Sequence, residues 1–331
     1  MMDTKTVSGE QPGAPGAPTT SPDKPATYSL YGLRVRSDLL LPLAPIENDG
    51  ADLIVRFEGL IPRSDGPPPR TMTRVWQRQG GQWVLRFRGQ TGHVLEFRYD
   101  LAGTQISIRQ SYPKRRDTLF ALMCPALAAA LHLQGRPALH ATSLVNNGGA
   151  FLLMGLSGTG KSTLAAALAV EGLSFHSDDI AALSWEAGVP VVQAGYPRLK
   201  ITSQTGESLG WPADALLHIF VMAPEYPEKW VDAAILQGGF HDGPAPLKTI
   251  YLLSGRSADL QAPRLETLSP GQAALALVRH LYGQPWLGKP AAQAMKLCAR
   301  LAVKTPIRRL WLPDGLENLR PAARAIMTDM P

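Results

Sequence analysis

The sequence predicts an α/β protein in which a small β-rich N-terminal domain precedes a domain of interleaved strands and helices. Two observations predict this fold class. Short runs that alternate apolar and polar residues, such as Leu95–Tyr99, fill the first third of the chain. Beyond about residue 113, short apolar strands alternate with longer helical segments. The first pattern is typical of a half-solvated antiparallel sheet, and the second of strand–helix–strand units.

Three segments follow one another along the chain. Residues 1–27 are rich in Pro, Gly, Ser and Thr, and we expect a disordered tail because such a segment buries too little apolar surface. Residues 28–112 form the predicted β-rich domain, in which we find no chemistry. Residues 113–331 form the α/β domain, which opens with a helix that Asp117 is expected to cap and that runs through Leu133.

The elements of the α/β domain are expected in a fixed order. The predicted strands cover residues 150–154, 173–175, 216–222 and 248–253. The predicted helices cover residues 161–171, 270–282, 291–303 and 315–326.

Composition favours a cytoplasmic protein with an anionic ligand. The chain has 331 residues and a formal net charge of +6, and its Lys and Arg residues form no basic stripe, so we expect no nucleic-acid partner. The N-terminus lacks the apolar stretch of a secretion signal. The longest apolar run, Leu119–Leu133, contains Pro125 and is shorter than the roughly 20 residues that cross a bilayer, so no membrane association is expected. Cys124 and Cys298 are expected to be buried free thiols.

A phosphate-binding loop is the strongest chemical signal. Residues 155–162 fit the pattern G-x-x-x-x-G-K-[ST], between an apolar strand and an alanine-rich helix, a context that argues against a chance match. Glycines let successive N–H groups approach a phosphate, and the helix N-terminus favours the same anion. The lysine adds a charge and the serine a hydroxyl for Mg²⁺. We therefore expect ATP or a close relative to contact Gly155, Leu156, Ser157, Gly158, Thr159, Gly160, Lys161, Ser162 and Thr163.

Two acidic residues, Asp178 and Asp179, follow the next predicted strand. The carboxyl ends of adjacent strands in an α/β sheet face one crevice, so these carboxylates and the loop are expected to meet around one γ-phosphate. One would hold Mg²⁺ through water and the other would accept a proton from an attacking hydroxyl. The alternative is a pair of helix-capping aspartates. His140 precedes the strand that feeds the loop, and its apolar neighbours alone favour a structural role.

These motifs together resemble the catalytic domain of the bacterial HPr kinase/phosphorylase family. His140 precedes Gly155 by 15 positions and Asp179 follows Lys161 by 18, the separations of that family. The resemblance covers about residues 113–331 and implies an HPr kinase/phosphoenolpyruvate carboxykinase-like fold. The β-rich N-terminal part looks more like that of the related kinases of lasso-peptide and other peptide-modification clusters.

The resemblance implies a role for each matched residue. Asp179 would be the general base, with His140 assisting near the γ-phosphate, and Lys161 would stabilise charge during transfer. Family members transfer the γ-phosphate of ATP to a serine of a protein or peptide, so the implied partner is a serine-containing peptide or small protein. HPr kinases form hexamers, which makes a homo-oligomer compatible with the resemblance.

The sequence also departs from the family. The family carries a metal-binding Glu in a Glu-x-Arg-Gly stretch, whereas residues 195–200 here keep Arg198 but have no Glu. Mg²⁺ binding would then depend on Ser162 and Asp178, and the reverse reaction becomes doubtful. Residues 269–272 echo the segment associated with that reverse reaction, without its Arg. Arg198 and Lys200 are candidate phosphate contacts or solvated surface cations, and Arg256 is a weaker candidate.

The sequence therefore predicts an ATP- and Mg²⁺-dependent serine kinase that acts on a peptide or small protein. Two alternatives stay open. The missing Glu favours a nucleotide-binding scaffold with little transferase activity, and the unreadable acceptor pocket leaves room for a small-molecule kinase.

Overall fold

The structure is a computed structural model that describes residues 24–113, 116–136, 138–219, 228–288 and 292–330. Most of the predicted disordered tail lies outside the described residues. Its last part does not fit the prediction, because Ala26 and Thr27 already belong to the first strand.

The N-terminal sheet has seven strands in the order β1-β2-β3-β7-β6-β5-β4. Their bounds are β1 Ala26–Leu30, β2 Leu33–Ser37, β3 Leu53–Leu60, β4 Thr73–Gln79, β5 Gln82–Arg88, β6 Val94–Tyr99 and β7 Gln105–Gln110. The expectation of an antiparallel sheet is wrong for β3, which pairs in parallel with β2 and β7. The connection from β2 to β3 is long enough for the chain to return in the same direction, which a tight hairpin does not allow.

A continuous helical segment follows the sheet. It consists of α1 Arg116–Ala121, a π-helical turn Leu122–Ala126 and α2 Leu127–Leu133. Pro125 lies in the π-helical turn, where it removes one backbone donor. The predicted end at Leu133 is confirmed. Asp117, the predicted cap, lies inside α1 and is buried.

The segment Arg116–Leu133 has 18 residues and is long and apolar enough to cross a membrane by length and composition, so its length does not exclude a span. However, 78% of it is buried within the protein. A core helix of a folded protein meets the same criteria, so this feature is weak support for a membrane span.

The N-terminal sheet shares its core with this helical segment. The turn between β1 and β2 bonds to two distant segments of the chain. The backbone N–H of Tyr31 donates to Ala194 O at 2.8 Å, and its hydroxyl donates to Met123 O at 3.2 Å. In the π-helical turn the Leu127 N–H bonds Leu122 O and Cys124 O instead of Met123 O. The Tyr31 hydroxyl therefore gives Met123 O a donor in place of the Leu127 N–H.

The C-terminal part contains an eight-stranded mixed sheet, a three-stranded sheet and six helices among its described residues. The strands are β8 Ala138–Asn146, β9 Gly149–Met154, β10 Ser174–Ser177, β11 Ile180–Glu186, β12 Val189–Val192, β13 Arg198–Thr202, β14 Leu217–His218, β15 Glu228–Asp232, β16 Ala245–Ser257, β17 Arg264–Thr267 and β18 Ile307–Pro313. The helices are α3 Lys161–Val170, α4 Ser203–Ser208, α5 Pro270–Arg279, α6 Gln284–Leu287, α7 Ala292–Lys304 and α8 Leu319–Asp329. Short 3₁₀ turns cover Ala213–Ala215, Ala233–Ile235 and Leu316–Asn318.

The eight-stranded sheet lies between two layers of helices. Its path runs β10-β8-β11-β12-β16-β18-β17, and β9 pairs with both β8 and β16. β9, β16 and β18 are parallel, and β8 is antiparallel to its neighbours. Helices α3 and α8 pack on one face, whereas α5 and α7 pack on the other. The sequence prediction of an α/β domain is confirmed at this level.

Most predicted elements recur within a few residues. The strand expected at 216–222 is an exception, because β14 has only two residues and residues 220–227 lie outside the described part. β10 starts one residue later than predicted and continues to Ser177, which brings it directly to the two aspartates. Cys124 and Cys298 are buried and free, as predicted.

We predict that Tyr31→Phe lowers the free energy of unfolding by about 1–2 kcal/mol, because it leaves Met123 O without its donor in a buried environment. The measurement is the urea midpoint at unchanged m-value. Tyr28→Phe is the matched control, since that buried hydroxyl makes only a 3.4 Å contact with the Leu41 N–H. Equal losses in the two variants would contradict the assignment.

Candidate active site

The predicted phosphate-binding loop connects β9 to α3. Gly158 and Gly160 have φ of +81° and +94°, which is the left-handed region that favours glycine. Within the described residues, no acceptor takes the backbone N–H of either glycine. α3 begins at Lys161, as predicted, so the first N–H groups of the helix point into the same loop. The loop thus presents several backbone donors to one anion.

Lys161 folds back over this loop. Its Nζ donates to Gly155 O at 3.0 Å and to Leu156 O at 3.1 Å, and the residue is buried. Burial lowers the pKa of the lysine, while the carboxylates of Asp179 and Asp178 act in the opposite direction. The ammonium is therefore held over the loop by neutral carbonyls, which an incoming phosphate can replace.

Close packing excludes a side chain at Gly155, and the Arg256 side chain covers Gly160. A Cβ at Gly155 would lie 2.7 Å from Thr159 Oγ1 and 3.0 Å from Leu253 O. A Cβ at Gly160 would collide with the guanidinium of Arg256, at the end of β16. From the sequence Arg256 is only a weak candidate, yet the structure places its guanidinium against the loop.

Asp178 is fully buried, and its carboxylate accepts hydrogen bonds from four donors. Its Oδ1 accepts from Thr142 Oγ1 at 2.7 Å, from Ser162 Oγ at 3.1 Å and from the Asp179 N–H at 3.0 Å. Its Oδ2 accepts from the Lys200 N–H at 3.0 Å. Burial, followed by the neighbouring Asp179 carboxylate, raises the pKa of Asp178. The bond to Ser162 joins the acidic pair to the phosphate-binding loop, as the sequence predicted.

Asp179 adopts a φ of +65°, which is uncommon for a residue other than glycine. The Ile180 N–H donates to Asp178 O at 2.8 Å, so the chain makes a γ-turn centred on Asp179. This turn aims the Asp179 carboxylate at Lys200 Nζ and at His140 Nε2, which is 3.7 Å away. Burial would raise the pKa of Asp179, but the Lys200 ammonium and the contact with His140 hold it well below its usual range.

His140 lies near the start of β8, beside the acidic pair. Its backbone N–H donates to His280 O at 2.7 Å, and its ring meets the Tyr282 ring edge-on at 5.7 Å. The side chain is 32% exposed. The ring is therefore held by its neighbours and is also accessible from solvent, which a core histidine would not be.

The topology explains how the motifs meet. The prediction that the aspartates follow a strand adjacent to β9 is wrong, because β8 lies between β9 and β10. β8 is antiparallel to both strands, so β9 and β10 run in the same direction and end at the same edge. The first residues of β8, including His140 and Thr142, occupy that edge between the loop and Asp178.

Lys200 and Glu228 complete the site. The sequence offered Lys200 as a candidate phosphate contact or a surface cation, and it did not single out Glu228. The surface-cation alternative for Lys200 is wrong, because the residue is buried. Its Nζ contacts Asp179 and lies 3.7 Å from Glu228 Oε2. Glu228 arrives from β15, whose antiparallel register places it opposite Thr202 of β13. Arg198 pairs with Asp232 at 3.2 Å.

The segment that echoed the reverse-reaction motif has a structural explanation. Ser269 caps α5 through a capping box, in which its hydroxyl accepts from the Gln272 N–H and the Gln272 side chain accepts from the Ser269 N–H. Residues 269–272 therefore start a helix.

A metal ion would find hard oxygen donors in one place. No group of three or more His, Cys, Asp and Glu side chains among the described residues is arranged to hold a metal. Ser162 Oγ and Asp178 Oδ1, 3.1 Å apart, are nevertheless the donor types that Mg²⁺ takes when substrate phosphates and waters complete its shell. The residues therefore fit a Mg²⁺ ion that arrives with a nucleotide.

Comparison with solved structures gives a distant likeness. No family model matches the chain, and no curated protein matches it. The structure of the Hpr(Ser) kinase/phosphatase from Coxiella burnetii is similar over 58% of this chain and 95% of that chain, with 14% sequence identity and a TM-score of 0.31. At that TM-score the likeness assigns no role to any residue of this chain.

We predict that Gly160→Ala weakens ADP binding by about tenfold or more, because the new Cβ forces Arg256 away from the loop. Isothermal titration calorimetry measures the affinity. Gly172→Ala is the control: it also places alanine at positive φ, +105°, but meets no atom within 4 Å. Its affinity should stay within about twofold of wild type. Similar ADP affinities in the two variants would show that the close packing is dispensable.

Proposed function

We propose that this protein is an ATP- and Mg²⁺-dependent kinase that transfers the γ-phosphate to a serine hydroxyl of a peptide or small protein. The observation that carries the proposal is the junction at the strand edge. Ser162 of the phosphate-binding loop bonds Asp178, and the next residue, Asp179, presents an ionised carboxylate beside His140. Asp178 therefore joins the loop proposed to bind phosphates to the carboxylate proposed to accept the proton.

The reaction would proceed by in-line displacement. The serine Oγ attacks the γ-phosphorus, a new O–P bond forms, and the bond to the β,γ-bridging oxygen breaks to release ADP. The serine proton passes to the carboxylate of Asp179. Phosphoryl transfer has a loose transition state, so positioning and charge stabilisation supply most of the rate and a carboxylate of low pKa suffices as the proton acceptor.

The loop residues would stabilise charge. Lys161 would exchange its bonds to Gly155 O and Leu156 O for phosphate oxygens and so follow the charge that develops on the leaving group. Ser162 and Asp178 would hold Mg²⁺, which supplies charge neutralisation on the phosphates when bound. His140 would donate toward the γ-phosphate from the side of Asp179.

The peptide acceptor, the cytoplasmic location and the absence of a nucleic-acid or membrane partner are part of this proposal. They rest on the spacing of His140, the loop and Asp179 and on the composition of the chain. Homo-oligomerisation rests on the same resemblance.

One observation favours the scaffold alternative. Asp179 is paired with the Lys200 ammonium, which competes with its use as a base. A protein that only binds nucleotide has no need to release this pair. Measurement of transfer is therefore decisive between the two functions.

We predict that Asp179→Asn lowers phosphotransfer by about 10²–10⁴-fold and retains nucleotide binding, because it removes the proton acceptor and leaves the loop intact. The assay is transfer of label from γ-³²P-ATP to candidate peptides, with ADP affinity measured in parallel. Asp259→Asn, at an exposed turn after β16, is the control. Near-normal turnover in Asp179→Asn would remove Asp179 from the mechanism.

We predict that Lys161→Ala reduces the single-turnover rate by about a hundredfold or more, because a cation is lost where negative charge develops. Rapid-quench measurement at saturating ATP isolates the chemical step. The control is Lys304→Ala, on the exposed side of α7. A change confined to KM would contradict this role.

The same labelling experiment identifies the acceptor class. Label on a polypeptide supports the proposed kinase, and label on a metabolite indicates a small-molecule kinase. Nucleotide binding without any labelled product, over a panel of serine-containing peptides, supports the scaffold.

A further inference from the structure

Lys200 is a buried cation in a place where the proposed chemistry needs a free carboxylate. It lies on β13, and its side chain is only 8% exposed. A buried ammonium is costly unless it is paired, so its partners are part of its function.

The partners of Lys200 surround the acidic pair. Its Nζ contacts Asp179 Oδ2 and lies 3.7 Å from Glu228 Oε2, and its backbone N–H donates to Asp178 Oδ2. The ammonium also lies 5.5 Å from the centre of the Phe120 ring. One residue therefore touches both aspartates, the first through its main chain and the second through its charge.

The two lysines of the site act on the same carboxylates. The charges that act on Lys161 are those of Asp179, Asp178, Lys200 and Glu228. The Lys161 ammonium bonds a carbonyl of the loop, whereas the Lys200 ammonium contacts the Asp179 carboxylate from β13. A γ-phosphate placed between the loop and Asp179 would therefore meet an ammonium on each side.

We propose that Lys200 is a second γ-phosphate contact that gates Asp179. Without nucleotide, its ammonium pairs with the Asp179 carboxylate. When the γ-phosphate arrives, the ammonium turns to a phosphate oxygen and leaves the carboxylate available to the serine hydroxyl. This inference rests on the proposed function and adds to it a device that makes the base available only when the γ-phosphate is bound.

The side chain can make this exchange without movement of its strand. The backbone of Lys200 is fixed by its bond to Asp178 and by the pairing of β13 with β15. The four-carbon stem is flexible, and the ammonium has three donors, so it can keep Glu228 while it exchanges Asp179 for phosphate. Glu228 thus acts as the tether that keeps the cation in the site.

The test compares two ligands that differ only at the γ-position. Affinities for ADP and for the non-hydrolysable analogue AMP-PNP, each with Mg²⁺, are measured by calorimetry in wild type, Lys200→Met and Lys200→Arg. We expect Lys200→Met to reduce the preference for AMP-PNP over ADP by about tenfold or more, because a charge-assisted contact is lost. ADP affinity should change little, and Lys200→Arg should keep much of the preference. Lys248→Met, exposed on β16, is the control.

A second variant keeps the test sound if Lys200→Met folds poorly. Asp179→Asn weakens the hold on the ammonium, so the preference for AMP-PNP should rise, by about threefold or more. Loss of the repulsion between this carboxylate and the γ-phosphate would also raise the preference, so the double variant is needed to separate the two causes. In the double variant Lys200→Met/Asp179→Asn, where no carboxylate at position 179 is left unpaired, the preference should fall by about tenfold or more below that of Asp179→Asn alone, and an unchanged preference would show that Lys200 does not contact the γ-phosphate.

The outcomes separate this inference from the proposed function. An unchanged ligand preference in Lys200→Met, or no rise in Asp179→Asn, overturns the gate even if wild type transfers phosphate. A wild type that transfers no phosphate overturns the kinase, while the two shifts in preference would still establish the γ-phosphate contact.

Discussion

The structure depends on two adjacent carboxylates held at a largely buried strand edge. Burial disfavours both charges, and the two groups repel each other. The protein compensates the two charges in different ways. Hydroxyl and backbone N–H donors surround Asp178, whereas the Lys200 ammonium and the His140 ring face Asp179. Two residues of the same type therefore acquire different chemistry, with a raised pKa for Asp178 and a lowered pKa for Asp179. A divergence of this kind between neighbouring titratable groups is a recurrent property of sites that divide roles between them.

The fold supplies what this arrangement needs. β8 lies between β9, which ends at the loop, and β10, which ends at the aspartates. Its first residues contribute His140 and Thr142 to the site. The γ-turn at Asp179 separates the directions of the two carboxylates. Behind the site, the N-terminal sheet inserts the turn at Tyr31 between the π-helical segment and Ala194. The N-terminal part thus stabilises the rear of the site, although its sequence carries no chemical motif.

The sequence predicted the features that depend on residues close together in the chain, and it did not predict the contacts between distant strands. The loop, α3 and the alternating strands are set by residues close in sequence, and these appear where the patterns indicated. The parallel pairing of β3 and the position of β8 between β9 and β10 depend on how distant strands pair. The alternation of apolar and polar residues predicts a strand but not its neighbour or its direction. Lys200 and Glu228 are the clearest example. They meet only because β13 pairs with β15, and a lysine in an apolar run reads equally well as a surface residue. Its position between Leu199 and Ile201, both buried, was the available signal.

Residues 195–200 contain no glutamate, but Glu228 brings one to the site from another part of the chain. A glutamate does reach this edge, but from a different strand, and it faces an ammonium. Tyr196, within the stretch where the resemblance places the metal-binding Glu, is fully buried against Cys124, with its hydroxyl 2.9 Å from the thiol sulfur. The positive charge that faces Asp179 belongs to the Lys200 side chain and not to a metal ion, so it is present before any ligand binds. Under the proposed function, a ligand must compete for that charge, and a terminal phosphate competes better than a neutral hydroxyl because it carries more negative charge. The order of binding would then follow from electrostatics: the nucleotide engages the lysine first, and the acceptor serine meets the carboxylate that the nucleotide has released.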